Sequence, residues 1–465
     1  MRTLRLAIRN LLRNGRRSLA TLLAVMIALV TIIIFGGYGQ GIIYGLQTGY
    51  VQSTGHLQVQ HENYFRLGSG NPDEYGIPRY REIMSSIQSD PQLAPLLRVV
   101  TPILTTGGVA GNYRLGASRT VMVTGLVVRD QNRMREWNDY GFRVVHRLLA
   151  LPDGDAQAAV VGTGVARILK LCGELTVPDC SQEQSSAPAK GDALPADIAA
   201  LTRRDLEADA QQSRNGRATI DLLAVTARGA PNVAAVHVVA AENQGVKQLD
   251  DVYVAVHLAQ AQRLVYGVLD PRVTAIAVQL HHTSQLRQAE LRLNQLLSSR
   301  FNDLPLRVLD YRTLNPFYDE SLAMFATMLT FIAALIAAIV LFTVGNTMST
   351  AVVERTTEIG TLRAIGLRRS GIKRLFICEG VILGIAGAVL GVLVSLLVAT
   401  LVNNSGITWR PPGWSRDVPL YVKVGGDTAL IAVVVIAMLV VVTLSAWWPA
   451  RRAARLNIVD ALRHV

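Results

Sequence analysis

Residues 322–353 read LAMFATMLTFIAALIAAIVLFTVGNTMSTAVV, a run without a single Asp, Glu, Lys or Arg. Crossing about 30 Å of hydrocarbon takes roughly 20 helical residues, and this run would measure about 48 Å as helix. One charge at the centre of a spanning helix costs about 2.5–3.5 kcal/mol on the insertion scale, so its absence over such a length is informative. The stretch predicts a membrane helix near Leu322–Thr347 that continues past the bilayer.

Three other runs share this property: Ser18–His61, Gly380–Trp409 and Thr428–Ala450. With Leu322–Thr347 as helix 2, they predict helix 1 near Leu19–Tyr44, helix 3 near Val381–Val402 and helix 4 near Ala429–Trp448. A buried core helix is the alternative for any one run, and the lengths argue against it. Composition agrees: half of the 465 residues are hydrophobic and 17% charged, against roughly 25% charged in a soluble domain. Disorder over most of the chain, a disulfide scaffold (three Cys) and a plain soluble enzyme are excluded. Helix 1 resembles a signal peptide in its preceding arginines. Its apolar stretch exceeds the usual 7–15 residues and no small-x-small cleavage site follows, so a retained helix is expected.

The net charge is +12. Residues 1–17 contribute +6, the loop 354–379 +3 and the tail 451–465 +3, while the segment between helices 1 and 2 is close to neutral. All three basic pieces fall on one side of a four-helix topology. The positive-inside rule then puts both termini in the cytoplasm and the large segment outside it. The basicity is thus a topology signal, and no nucleic-acid partner is expected. Within residues 1–17, Leu4, Ile8, Leu11 and Leu12 recur at helical spacing between arginines, as in a helix lying along a lipid surface.

The expected fold class is an α-helical membrane protein with four transmembrane helices plus a large α+β extracytoplasmic domain of two subdomains between helices 1 and 2. The organisation runs as a cytoplasmic amphipathic helix (1–17), helix 1 (18–46), the extracytoplasmic domain (47–320) and helix 2 with a cytoplasmic extension (321–353). A cytoplasmic loop (354–379), helix 3 (380–403), a short outer loop (404–427), helix 4 (428–450) and a cytoplasmic tail (451–465) follow. Inside the large domain, Gly55–Gln60, Val99–Thr106, Thr120–Val128, Val273–Leu280 and Leu306–Leu309 read as strands. Tyr80–Gln88 and Ser284–Phe301 read as helices. A βαβ-like unit at each end suggests one subdomain built from both ends, with a second inserted near 130–265. Residues 181–216 are polar and Ser/Gln/Asp-rich, a surface insertion with a short helix at Asp197–Ala210. Just before it, Cys172 and Cys180 lie in LCGELTVPDC. In an oxidising compartment they are expected to pair, whereas Cys378, on the other side, is expected to stay reduced.

No catalytic constellation emerges. His61-Glu62 begins a zinc-protease pattern, but Phe65 stands where the second His belongs. His281-His282 has no ligand partner at suitable spacing and reads as a solvated pair. No G-x-S-x-G elbow is present, and GGYGQG and GTGVAR fail the G-x-G-x-x-G spacing. None of the five Lys is followed by Ser or Thr, so there is no Walker A loop. No catalytic residue, metal site or cofactor is expected in this chain. If ATP drives the protein, another polypeptide binds it.

Val352–Gly380 reads VVERTTEIGTLRAIGLRRSGIKRLFICEG, the C-terminus reads WWPARRAARLNIVDALRHV, and helix 3 carries Gly380, Gly384, Gly387 and Gly391. Together these resemble the permeases of the type VII ABC family, the FtsX, MacB and LolC/LolE types. The family loop E-R-x-x-E-I-G-x-L-R-A-x-G is met by Glu354, Arg355, Glu358, Ile359, Gly360, Leu362, Arg363, Ala364 and Gly366. The tail pattern is met by Pro449, Ala450, Arg452, Ala453, Ala454, Ala461, Leu462 and Arg463, with Ile458 in place of a second proline. GHLQVQHENY and QLDDVYVAVHLAQAQRLV look most like the lipoprotein-releasing LolC/LolE side.

The resemblance implies a non-enzymatic permease subunit, with ATP and Mg bound by a separate cytoplasmic ABC ATPase present in two copies. The loop would couple to that ATPase through Glu354, Arg355, Glu358, Arg363, Gly366, Arg368, Arg369 and Arg374. Beyond a bend at Gly366, Arg368, Arg369, Lys373 and Arg374 are expected to face a partner or the phospholipid surface. The helix 3 glycines, spaced 4, 3 and 4 apart, share one face suited to close helix packing. Family likeness also implies a dimer with a second copy or a homologous permease across helices 1 and 2. There Gly36, Gly37, Gly39, Gly41 and Gly45 would line a lipid-accessible chamber. The expected mechanism is mechanotransmission and the first expected function is extraction of a lipoprotein or lipid from the inner membrane. Efflux of small molecules with a periplasmic adaptor and outer-membrane channel is the alternative, as is regulation of a cell-wall hydrolase.

Overall fold

The computed structural model describes residues 2–68, 74–142, 148–175, 177, 180, 218–410, 414–415, 417–425 and 428–456. The expected insertion at 181–216 and the tail residues Ile458, Ala461, Leu462 and Arg463 lie outside the described residues. In chain order the main elements begin with α1 (Arg2–Arg13), α2 (Gly15–Thr54), β1 (Leu57–His61), α3 (Tyr80–Ser89), β2 (Leu97–Asn112), β3 (Ala117–Leu126) and α4 (Val128–Arg135). They continue with β4 (Ala158–Gly162), α5 (Thr163–Ile168), β5 (Ala218–Val225), β6 (Pro231–Glu242), β7 (Tyr253–His257) and α6 (Leu258–Tyr266). The last are β8 (Ala275–Leu280), α7 (Leu286–Arg300), β9 (Leu306–Asp310), α8 (Pro316–Glu354), α9 (Thr356–Ala364), α10 (Arg369–Asn404) and α11 (Thr428–Ala454). The chain divides into a helical unit (Met1–Tyr44, Phe317–Trp409 and Pro419–Val465) and a sheet unit (Gly45–Pro316 and Arg410–Val418).

In the helical unit, α2, α8, α10 and α11 are long and apolar enough to cross a membrane. They outrun the apolar windows because hydropathy marks where lipid begins, not where a helix ends. α2 stops only before Gly55, whose φ of +80° and close approach to the Val278 carbonyl exclude a side chain. α10 begins at Arg369, eleven residues ahead of the charge-free run, because Ile372 and Phe376 bury against Val352 and Ala450. The shared core joins Val25, Leu29 and Ile33 of α2, Val344 and Met348 of α8, Leu383 of α10, and Met438 and Val442 of α11.

The helix 3 glycines serve two neighbours rather than one. A Cβ on Gly380 would sit 2.7 Å from Ala446 Cβ, and one on Gly384 3.2 Å from Val442, both on α11. On Gly387 it would sit 2.9 Å from Val25, and on Gly391 2.9 Å from Leu29, both on α2. Seven residues carry a helix about 10 Å along its axis, enough for one crossing partner to give way to the next. Gly37 and Gly41 of α2 depart from the expected lipid-accessible chamber. Lys423 donates its backbone N–H to the Gly37 carbonyl at 2.9 Å. Cβ atoms on Gly37 and Gly41 would collide with Val424 and with the Tyr421 carbonyl. These glycines seat the chain's own residues 421–424.

Among the described residues the sheet unit has a nine-stranded sheet in the order β3-β7-β4-β6-β5-β2-β8-β1-β9, and β3 also pairs with β2. That extra pairing closes β2, β3, β7, β4, β6 and β5 into a six-stranded ring. The other three strands extend from β2 in the order β2-β8-β1-β9, all antiparallel neighbours. Here β1–α3–β2 and β8–α7–β9 interleave as two split βαβ units. Ile83 and Ile87 of α3 and Leu293 and Leu296 of α7 cover one face of that sheet. The ring is filled by alternating residues, among them Val121, Val123, Val161, Ile220, Leu222, Val236 and Val254, together with Ala261 and Leu264 of α6.

The boundary between these parts therefore lies inside β2, not near residue 130. Residues 99–103 pair with β8 and residues 104–112 with β3. A sixteen-residue strand is long enough to belong to both, and the close approach of Gly108 to the Leu223 carbonyl lets β5 join. Cys172 and Cys180 form a disulfide with a Cα–Cα distance of 5.7 Å, and Cys378 is free and half-buried. The expected outer loop 404–427 is not one element. Its residues Arg410–Val418 belong to the sheet unit, where Ser415 donates its backbone N–H to the Gly245 carbonyl and its hydroxyl to Asn243 Oδ1, both at 2.8 Å.

Candidate functional site

At the basic end of the helical unit, five segments converge: α1, the start of α2, the α8–α9 junction, the start of α10 and the end of α11. α8 runs to Glu354, and Arg355 (φ −104°, ψ 19°) breaks the helix before α9 starts at Thr356. The Arg355 side chain, 8% exposed, turns inward. Its Nη1 donates to both carboxylate oxygens of Glu379 on α10 at 3.1 and 3.2 Å, and its Nη2 to the Asn10 carbonyl of α1 at 3.2 Å. Asn10 Nδ2 donates to Glu379 Oε1 at 2.8 Å, and Glu379 is 2% exposed. A guanidinium presents five donors in a fixed fork, so one side chain can join three elements.

The neighbouring charges are used differently. Arg17, half-buried, pairs with Glu354, and Arg13 with Glu358 on exposed side chains. Arg363 donates to the Leu456 carbonyl beyond α11. Ile359 buries with Ile372, Phe376 and Ala453, fixing α9 against α10 and α11.

After α9 the chain reverses through a glycine. Gly366 has φ +103°, Leu367 N–H bonds the Leu362 carbonyl at 3.0 Å, and Gly366 N–H bonds the Arg363 carbonyl at 3.0 Å. These are the two bonds of a Schellman cap, which needs a left-handed residue where Gly366 stands. The turn leaves Ile365 79% exposed, with Leu362, Leu367, Arg368 and Arg369 also exposed. Apolar side chains at the tip of a basic turn leave water only against another surface.

Of the eight residues expected to meet an ATPase, Gly366, Arg368, Arg369 and Arg374 sit at or beside this open turn, and the last three are exposed. Glu354, Glu358 and Arg363 are held by other parts of the chain. Arg355 departs from the expectation: it is buried in a lock between α1 and α10, because a carboxylate stands ready for it on α10. Asn10, Glu379, Ile365 and Leu367 were missed from the residues alone. One signal for Glu379 was available, since it directly precedes the charge-free run at 380 and a carboxylate so placed needs a partner. Among the described residues no group of His, Cys, Asp and Glu could hold a metal ion. In the sheet unit, His282 Nδ1 lies 2.7 Å from Asp139.

Residues 330–458 match the family model described as FtsX-like permease C-terminal. The chain is 38% identical over 136 residues to the ABC transporter permease YtrF of Bacillus subtilis, covering 28% of this chain and 30% of that one. It is 29% identical over 214 residues to the macrolide export ATP-binding/permease protein MacB of Escherichia coli K12, covering 43% of this chain and 30% of MacB. With MacB of Bordetella avium it shares 28% identity over 188 residues, 40% of this chain and 27% of that one. The chain thus spans less than a third of the length of the curated relatives it matches. These likenesses support the type VII ABC permease family, and with four apolar helices they mark a membrane protein.

Proposed function

We propose that this chain is the permease part of an ABC transporter working by mechanotransmission. A cytoplasmic ATPase, in two copies, binds ATP and Mg and receives the turn at 362–369. The observation that carries this reading is the exposed Schellman tip inside the segment matching the FtsX-like model. Ile365 and Leu367 supply the apolar contact, and Arg368 and Arg369 the charge. Closure of the ATPase would push α9, and the lock at Arg355 would pass that motion to α8, α10 and α1 together. α2 carries the chain from the helical unit into the sheet unit without a break.

In this reading both termini are cytoplasmic, the sheet unit is periplasmic and a second permease copy completes a dimer across α2 and α8. α8 supports such a surface, since Phe331, Leu335, Ile339 and Phe342 along it are exposed. Extraction of a lipoprotein or lipid is the cargo suggested by GHLQVQHENY and QLDDVYVAVHLAQAQRLV. The MacB names favour a second reading, export of a small molecule with a periplasmic adaptor. Regulation of a hydrolase has no observation of its own.

The test is purification of the full chain from its native membranes in mild detergent, with identification of what stays bound. A stoichiometric P-loop ATPase is expected, together with a lipoprotein or second permease for extraction, or an adaptor for export. A preparation with no ATPase in any condition would remove the ABC reading.

A further inference from the structure

The basic end of α11 reads AWWPARRA over residues 446–453. Trp447 and Trp448 are 39% and 72% exposed. Lys373 Nζ of α10 lies 5.2 Å from the centroid of the Trp447 ring, and Arg451 Cζ lies 5.4 Å from the same centroid. The close approach of Gly380 to Ala446 holds these two helices together at that level. Two like charges thus converge on one indole. Ring quadrupoles return about 0.5–1 kcal/mol per cation at an exposed site, which leaves the positive charge itself unbalanced. The carboxylates of residues 354–379 are already engaged: Glu354 with Arg17, Glu358 with Arg13 and Glu379 with Arg355.

An anion completes this arrangement, and the surroundings say which. Val433, Ile436, Val440, Leu444 and Trp448 are exposed at three- and four-residue spacing along α11, an apolar stripe leading directly to the cations. A ligand with a phosphate at one end and hydrocarbon at the other matches both parts. Trp rings settle at headgroup depth, and basic pockets between spanning helices on the cytoplasmic side take anionic lipid headgroups. We propose that Lys373, Trp447 and Arg451, flanked by Trp448 and Arg452, bind the headgroup phosphate of an anionic phospholipid of the inner leaflet. This rests on the membrane orientation given above and is independent of any ATPase.

The full chain is reconstituted in phosphatidylcholine vesicles containing dibrominated phosphatidylglycerol or dibrominated phosphatidylcholine, whose bromines quench nearby tryptophan emission. Each cation near the surface contributes about 1 kcal/mol, or roughly fivefold in affinity. The phosphatidylglycerol should therefore quench at roughly twenty-five-fold lower mole fraction than the phosphatidylcholine. K373Q and R451Q should each lose about fivefold and the double variant nearly all of the preference, while R300Q keeps it. Equal quenching by the two lipids, or a double variant with undiminished preference, would overturn the proposal. Competition by inorganic phosphate would assign the site to a free anion and overturn it too. So would loss of a co-purified ATPase from the double variant with the lipid preference intact. Quenching by neither lipid would instead remove the membrane assignment of α10 and α11.

Discussion

The Arg355–Glu379 lock makes the sharpest quantitative prediction. With side chains 8% and 2% exposed, the pair is shielded from water. Removing one partner of a buried pair leaves the other charge stranded, at about 3–5 kcal/mol. Glu379→Gln strands the guanidinium, and Arg355→Met strands the carboxylate with only Asn10 to bond it. Replacing both, Arg355→Met with Glu379→Leu, removes the desolvated charges together, and such swaps are often neutral. The neighbouring Arg13–Glu358 pair is an internal control. Its side chains are 55% and 48% exposed, so Glu358→Gln should cost only about 0.2–1 kcal/mol. Heating the purified chain and following loss of the monodisperse peak should show each buried single variant melting on the order of 10 °C early. The double variant should recover most of that. Cys378, next to Glu379 and half-buried, gives a local readout: its labelling by a thiol reagent should accelerate in the single variants. A Glu379→Gln no worse than Glu358→Gln, or a double variant as unstable as the two singles summed, would refute the lock.

Gly391→Val would add a Cβ 2.9 Å from Leu29 and 3.3 Å from the Met26 carbonyl, with two further methyl groups to place. Overpacking of about 1–3 kcal/mol should follow in thermal melts, whereas Gly45→Ala, with nothing within 4 Å, should be neutral. Asp250 accepts from the backbone N–H groups of Thr163, Gly164 and Gln244 at 2.9–3.1 Å. Asp250→Ala strands the buried Thr163 and Gly164 donors at about 1–3 kcal/mol each, and faster hydrogen exchange at those two amides should report it. His56 is held neutral, its pKa lowered to about 3 by burial against a weaker opposing pull from Asp139. Because its folded pKa lies below the ordinary 6.5, stability is full above that value and falls as pH drops from 6.5 toward 3, by up to about 1.4 kcal/mol per pH unit. Trp137, whose ring meets His56 edge-on at 4.9 Å, should report acid unfolding by fluorescence, and His56→Gln should flatten the slope.

The four apolar helices were legible because a charge inside lipid is so costly that its absence is itself a message. α1 was legible from Leu4, Ile8, Leu11 and Leu12, and β1 from its alternation. The ring was not, because its closure depends on pairings such as β4 with β6 and β2 with β5 that no local pattern encodes. The site divides the same way. Gly366 announced a bend, since few other residues accept its φ. Arg355 looked like every other arginine in a basic loop, and its burial depends on Asn10, 345 positions earlier. Ile365 was overlooked because apolar residues are read as core, and only the Schellman geometry turns this one outward.

The central claim is that the turn at 362–369 is where an ATPase drives this permease. It is tested most directly by Ile365→Asp with Leu367→Asp, made in the full chain and purified from native membranes. Both side chains are exposed, so the fold and its melting temperature should be unchanged. The account predicts that the P-loop ATPase is lost from the preparation, with its ATP hydrolysis. An ATPase retained in equal amount and hydrolysing at the same rate would contradict it.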